Sequence, residues 1–245
     1  MKKTLLSTIA VLALTACSGG SDNSGNETIT PIAQTGEQAG KETTVRPQQV
    51  TIEGDIDHKE YKAGVESTVT FQHFPKNVAE FEAAMNQLGS EPQGAVVLQL
   101  MAMELFRNDS VAGRQCIEKI NTEVNVPSVM RRLPDILRRN DSYSRPYLVA
   151  SFMQGATPQN GYNPPHPYKV KVRTHPVHSY ERSEMLKGYV IYLQVESSGY
   201  DTSWRGVEVV KQKGDDHYRV SNCPSLYTQC KEIDWETDEE FQGLE

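Results

Sequence analysis

The hydrophobic pattern changes period twice along this chain. Residues 18–48 have no period and are rich in Gly, Ser, Thr, Gln and Asn, the composition of a flexible tether. Val50 to His73 predicts one or two short strands: Val50 and Ile52 alternate with polar residues, and Thr68-Val69-Thr70-Phe71 is β-branched and aromatic. A helical period follows. Asn77 is placed to cap a first helix, with Glu80 three residues on as its capping-box partner. Val78, Phe81, Met85 and Leu88 then share a face, and Gly89 ends the helix. Ser90 and Pro92 open a second helix whose body, Ala95 to Phe106, is apolar nearly all round, as a buried central helix is. Asp109 or Ser110 caps a third helix carrying Val111, Ile117 and Ile120, and Pro127-Ser128 starts a fourth that Pro134 is expected to break.

From Tyr147 the period becomes that of strands. Tyr168, Val170 and Val172 alternate with Lys169, Lys171 and Arg173, which predicts a half-exposed strand with a basic outer face. Tyr189 to Glu196 reads as a more central strand. Gly206 to Lys213 is another, and Gly214-Asp215-Asp216 turns the chain into His217 to Ser221. An N-terminal helical block followed by an antiparallel β-meander argues for an α+β fold, one compact body on a tether. The expected division is residues 1–16, 17–48 as linker, 49–231 as the body and 232–245 as an acidic, disordered tail holding seven acids and no base.

Composition narrows the classes. With 245 residues and 37% hydrophobic content the chain can bury a sizeable core, and no apolar run reaches the roughly 20 residues of a spanning helix. The net charge of −7 argues against a nucleic-acid binder, which needs a basic surface to displace counterions. At the start, Lys2 and Lys3 precede the 12-residue apolar stretch Leu5 to Ala16, the layout of a signal peptide. Leu14-Thr15-Ala16-Cys17 resembles the bacterial lipobox. That resemblance implies diacylglycerol attached to Cys17 through a thioether, cleavage before it, and acylation of the new amine, commonly with palmitate. Two or three chains hold a protein to a membrane without spanning it. Ser18, where an aspartate would favour the inner membrane, is compatible with a lipoprotein of the outer membrane.

Ala156-Thr157-Pro158-Gln159-Asn160-Gly161-Tyr162-Asn163-Pro164 precedes the alternation Tyr168, Val170, Val172. Tyr192, Val195, Ser197-Ser198-Gly199, Asp201 and Arg205 follow. Together, over residues 74–222, these resemble an uncharacterised domain family, a domain of unknown function in secreted and lipid-anchored bacterial proteins. The resemblance implies one extracytoplasmic domain and carries no activity with it.

Candidate chemistry is sparse. With Cys17 taken by lipid, Cys223 and Cys230 flank a short loop containing Pro224, and an extracytoplasmic address makes a disulfide between them plausible. Cys116 is then left over, as a buried small residue or a nucleophile. His175 and His178, with Glu181, are candidate zinc ligands, against the reading of an ordinary polar loop; Pro176 prevents a regular helix there. Asp55 and Asp57 alternate on a strand-like segment and fit either a calcium or acid–base pair or a solvated edge. Arg131, Arg132, Arg138, Arg139 and Arg145 are the sharpest local charge. They suit an acidic glycan or lipid headgroup, a dock for the acidic tail, or a solvated helix face. Asp109-Ser110-Val111 resembles a short O-glycosylation acceptor, and the favoured reading of it is a helix N-cap.

No Gly-x-Ser-x-Gly elbow and no phosphate-binding glycine loop occurs. The reading is therefore a cell-envelope lipoprotein that acts as a non-enzymatic binding or accessory module, with an envelope protein or glycan as partner, no nucleic acid and no cofactor. The alternatives are an envelope hydrolase acting on glycan or peptide, and an immunity or assembly lipoprotein that caps another protein.

Overall fold

The computed structural model describes residues 45–234, Pro47 and His58 apart. Cys17, the signal-like segment, nearly all of the linker and the tail beyond residue 234 lie outside the described residues.

Seven antiparallel strands form one sheet: β1 (Val50–Glu53), β2 (Glu66–Phe71), β3 (Tyr168–Thr174), β4 (Glu181–Ser183), β5 (Gly188–Glu196), β6 (Trp204–Gln212) and β7 (Arg219–Asn222). Their order is β1-β2-β3-β5-β6-β7, with β4 paired to β5. β3 takes one end of β5 (Val172 opposite Val195) and β4 the other (Glu181 opposite Val190). The four helices are inserted between β2 and β3: α1 (Val78–Leu88), α2 (Pro92–Asn108), α3 (Ser110–Ile120) and α4 (Val126–Leu137). The N-terminal hairpin is therefore part of the same sheet as the meander, with Val69 opposite Val170 across β2 and β3.

The helix starts follow local chemistry. The Asn77 side chain accepts from the Glu80 amide at 2.9 Å, and Asp109 accepts from the Val111 and Ala112 amides at 3.0 Å. Half of the expected capping box is replaced, because the Glu80 carboxylate turns to Lys76 N and to Arg46. Gly89 closes α1 in ordinary right-handed geometry. Glycine is required there because a Cβ would come within 2.7 Å of the His217 ring.

α2 is buried along nearly its whole length and crosses α3 closely. A Cβ on Gly113 would stand 2.1 Å from Phe106 Cα. A buried polar seam then ties the helices to the sheet. Asn121 Nδ2 donates to Gln99 Oε1 at 2.7 Å, Asn125 Nδ2 donates to Asn121 Oδ1 at 2.7 Å, and Thr122 N bonds Val220 O of β7 at 2.9 Å.

Four local expectations are corrected. α4 passes through Pro134 and ends at Leu137, because packing of Val129, Leu133, Ile136 and Leu137 outweighs the one lost amide bond. Val111 is 69% exposed; Gly113, Cys116, Ile117 and Ile120 make the buried stripe of α3. Residues 147–167 are not strand. They form a long loop with 3-10 turns at Ala150–Phe152 and Pro158–Asn160, closed by Gly161 at φ 64°. Asp55 and Asp57 likewise lie beyond the end of β1, in a loop.

Candidate functional site

Alternation along the strands sends one set of side chains to the helices and the other away from them. Over most of its length the far set is polar and aromatic, with Lys169, Lys171 and Arg173 on β3, Tyr192, Gln194 and Glu196 on β5, and Trp204 and Glu208 on β6; toward β4 it turns apolar, with the opposed Val190 and Val210 both buried. Its centre is a stack, with the Arg173 guanidinium 3.9 Å from the centroid of the Trp204 ring. Gly206, paired with Gln194, leaves room between the strands, since a Cβ there would meet only Ser225 Oγ at 4.0 Å. Arg173 is held in place by donating from Nε to Gln194 Oε1 at 2.9 Å.

Glu196, opposite Trp204, leads from this face into a depression of about 340 Å³ lined by Ser151, Gln154, Ser197, Ser198 and Ser203 among others. The Ser151 and Ser197 hydroxyls serve the fold. Ser151 Oγ donates to Leu148 O at 2.7 Å, so the Ser197 hydroxyl, 3.0 Å away, supplies the proton between the two serines. Ser197 Oγ in turn accepts from Gly199 N. Neither serine has a base to activate it among the described residues. The depression offers the Glu196 carboxylate and the Gln154 amide, 3.4 Å apart, beside Trp204, which pairs with Glu196 across β5 and β6; this is equipment for holding a polar ligand.

The other predicted residues are distributed as follows. His175 and His178 lie with ring centroids 4.5 Å apart, but His175 Nδ1 accepts from the backbone amides of Val177 and His178. Burial and the neighbouring His178 hold His175 below its usual pKa. Glu181 accepts a short hydrogen bond from the Tyr192 hydroxyl. No group of three or more His, Cys, Asp or Glu among the described residues is arranged to hold a metal.

The cysteine bridge expected from spacing is not formed in the structure: Cys116, Cys223 and Cys230 are free thiols, all buried. Cys223 faces the polar seam, 3.7 Å from Asn125 Nδ2, whereas Cys230 sits beside Tyr162, Arg145 and Gly199. Burial pushes the Cys116 and Cys223 thiols up to about 12 and Cys230 to about 11, so each is held as an unreactive thiol.

The arginines do not act together. Arg138 donates to Phe106 O and Arg107 O at the end of α2, and Arg139 pairs with Asp135 and Asp141. Arg131 and Arg132 stay exposed on α4. Arg145 is buried and donates to Ser142, Ser144 and Cys230 carbonyls and to Glu232 at 2.7 Å. The first acid of the tail is thus docked, with Asp234 N bonded to Pro158 O. The Arg173–Trp204 stack is the feature that one-dimensional reading missed. Its signal was present in the basic outer face of β3, but the partner strand and register were needed to bring Trp204 onto it.

Neither a curated protein nor a solved structure matches the chain. A family model does, over residues 73–234, which takes in the loop at 156–164, the Ser197-Ser198-Gly199 turn and the docked Glu232–Asp234 and leaves out β1 and β2. The chain therefore belongs to a family described as a domain of unknown function, DUF6935.

Proposed function

We propose that this chain is a non-catalytic binding module of the bacterial cell envelope, held by lipid at Cys17, which takes its ligand on the helix-free face of the sheet and in the adjoining depression. The observation that carries the reading is the Arg173–Trp204 stack standing open beside Glu196 and Gln154. An aromatic face, a fixed guanidinium and a carboxylate at one concave edge recognise polar ligands such as glycans or protein loops. The nucleophilic groups of the body support the non-catalytic part: its thiols are buried and held protonated, and Ser151 and Ser197 of the depression spend their protons on the fold.

The test is capture from mildly crosslinked native membranes with the full-length, C-terminally tagged protein, alongside Arg173→Ala and Trp204→Ala. A near-stoichiometric partner lost from both variants is the expected result. Retention of the same partner by both, or turnover of glycan, peptide or ester substrates by the purified protein, would defeat the reading. For the anchor, Cys17→Ala is expected to move the protein out of the membrane fraction and to abolish palmitate labelling.

A further inference from the structure

The β4–β5–β6 ladder runs past the helices that cover it. Ile191 and Val209 stand opposite one another in the core. One step along the same face, Tyr189 stands between Arg182 of β4 and Lys211 of β6. Tyr189 is 60% exposed where Ile191 is 1%. Directly opposed residues of antiparallel strands share a face. Arg182, Tyr189 and Lys211 therefore form one row, a ring flanked on both sides by cations at strand spacing. Lys187 and Lys213, joined by a backbone hydrogen bond of 3.1 Å, line the same depression of about 520 Å³.

The balance of charge on this shelf is one-sided. Glu184 is the one acid of its lining, and it pairs with Arg182 at 2.8 Å. Lys187, Lys211 and Lys213 are exposed and make no ion pair among the described residues, in a chain whose net charge is −7. Gathering like charges on adjacent strands costs stability. Lys187 adds to that cost by holding a left-handed backbone, φ 53°, which glycine adopts more easily. A counter-anion from outside the fold would relieve the repulsion. Met185, the protruding apolar residue of the hairpin, lines an adjoining depression with Val124 that shares Lys187 with the shelf. The lining of the shelf itself is an aromatic ring, cations and the paired Glu184, with no aliphatic side chain.

We propose that this shelf binds an acidic saccharide, with anionic groups on Lys187, Lys211 and Lys213 and a sugar ring stacked on Tyr189. This site is separate from the Arg173–Trp204 face.

The experiment uses the full chain in non-ionic detergent, with immobilised polygalacturonate, dextran sulfate and neutral dextran as probes. Retention on the first two and not on dextran is expected, and it should weaken as salt is raised. Lys187→Ala with Lys213→Ala should weaken polygalacturonate binding by roughly tenfold or more, as loss of charge-assisted contacts does. Tyr189→Ala should weaken it and Tyr189→Phe restore it. All these side chains are surface-facing, and unchanged thermal melting verifies the fold. Three results would overturn the proposal. One is no retention on either acidic polymer. Another is retention indifferent to the lysine pair. The third is binding of phosphatidylglycerol vesicles through Lys187 and Lys213 with no binding of galacturonate oligomers, which would make a membrane the occupant.

Discussion

The two sides of the sheet use the same strands for different ends. Toward the helices, Val69, Phe71, Val172, Leu193, Val195 and Val207 are no more than 1% exposed, and α2 packs on them. Away from the helices, the intervening Lys169, Arg173, Tyr192 and Trp204 reach solvent, and Arg173 stacks on Trp204 across strands. The first side stabilises the fold by removing apolar surface from water, about 25 cal/mol per Å². The second contributes little to stability and so leaves its residues free to recognise something else. At the β4–β6 end the contrast is compressed into one step, from buried Ile191 to exposed Tyr189 on a single face.

Substitution of glycine separates the sides most sharply. Gly113→Ala places a methyl 2.1 Å from Phe106 Cα, where two helix backbones would have to part. We expect a loss of about 3 kcal/mol or more in urea unfolding. Gly206→Ala on the far side meets nothing closer than 4.0 Å and should change stability by no more than about 0.5 kcal/mol. Equal effects would break the comparison.

Arg145 comes next. Arg145→Ala leaves the Ser142, Ser144 and Cys230 carbonyls without their donor and releases Glu232. A cost of about 2 kcal/mol is expected. Limited proteolysis should then cut near residues 232–234 faster than in the parent protein.

Glu80 gives a smaller, pH-dependent effect. Its hydrogen bonds to Arg46 draw its pKa down to about 2, against the cost of burial. A depressed carboxyl contributes stability that is complete above its unfolded value and is lost as pH falls through the folded one. The window is therefore about 4.5 down to about 2. Because Arg46 is 35% exposed and screened, the contribution is put at roughly 1–2 kcal/mol. Glu80→Gln should flatten acid unfolding across that window, and an unchanged profile would contradict the pairing.

A small effect is expected of Arg173→Ala as well. It removes a surface stack and should cost under about 1 kcal/mol in thermal or urea unfolding. A larger loss would mean that the far face belongs to the fold as much as the helix side does.

Much of this architecture was legible in one dimension. The Asn77 and Asp109 caps, the all-round apolar α2 and the alternation of β3 and β5 are local patterns, and the structure keeps them. Pro134 was misread because a local breaker was weighed without the core that holds α4 together. The stretch from Tyr147 was misread because aromatic residues there pack as loop, Tyr147 stacking on Tyr162 with ring centroids 5.0 Å apart. The arginine group was legible as charge. Its division into structural Arg138, Arg139 and Arg145 and exposed Arg131 and Arg132 was not, because partners such as Phe106 O and Glu232 are distant in the chain.

By itself the sequence determined the α+β class, the four helices and the strands other than β4, the caps and which strand positions are apolar, since these depend on neighbours three or four residues away or on simple alternation. Tertiary structure alone decided that β1 and β2 join the meander across a four-helix insertion, that Arg173 lies on Trp204, and that Tyr189 stands among lysines beyond the helix layer. Each of those depends on register and on where one layer ends over another. Such contacts are made between residues up to about a hundred positions apart, as β2 and β3 are, and no local period encodes them.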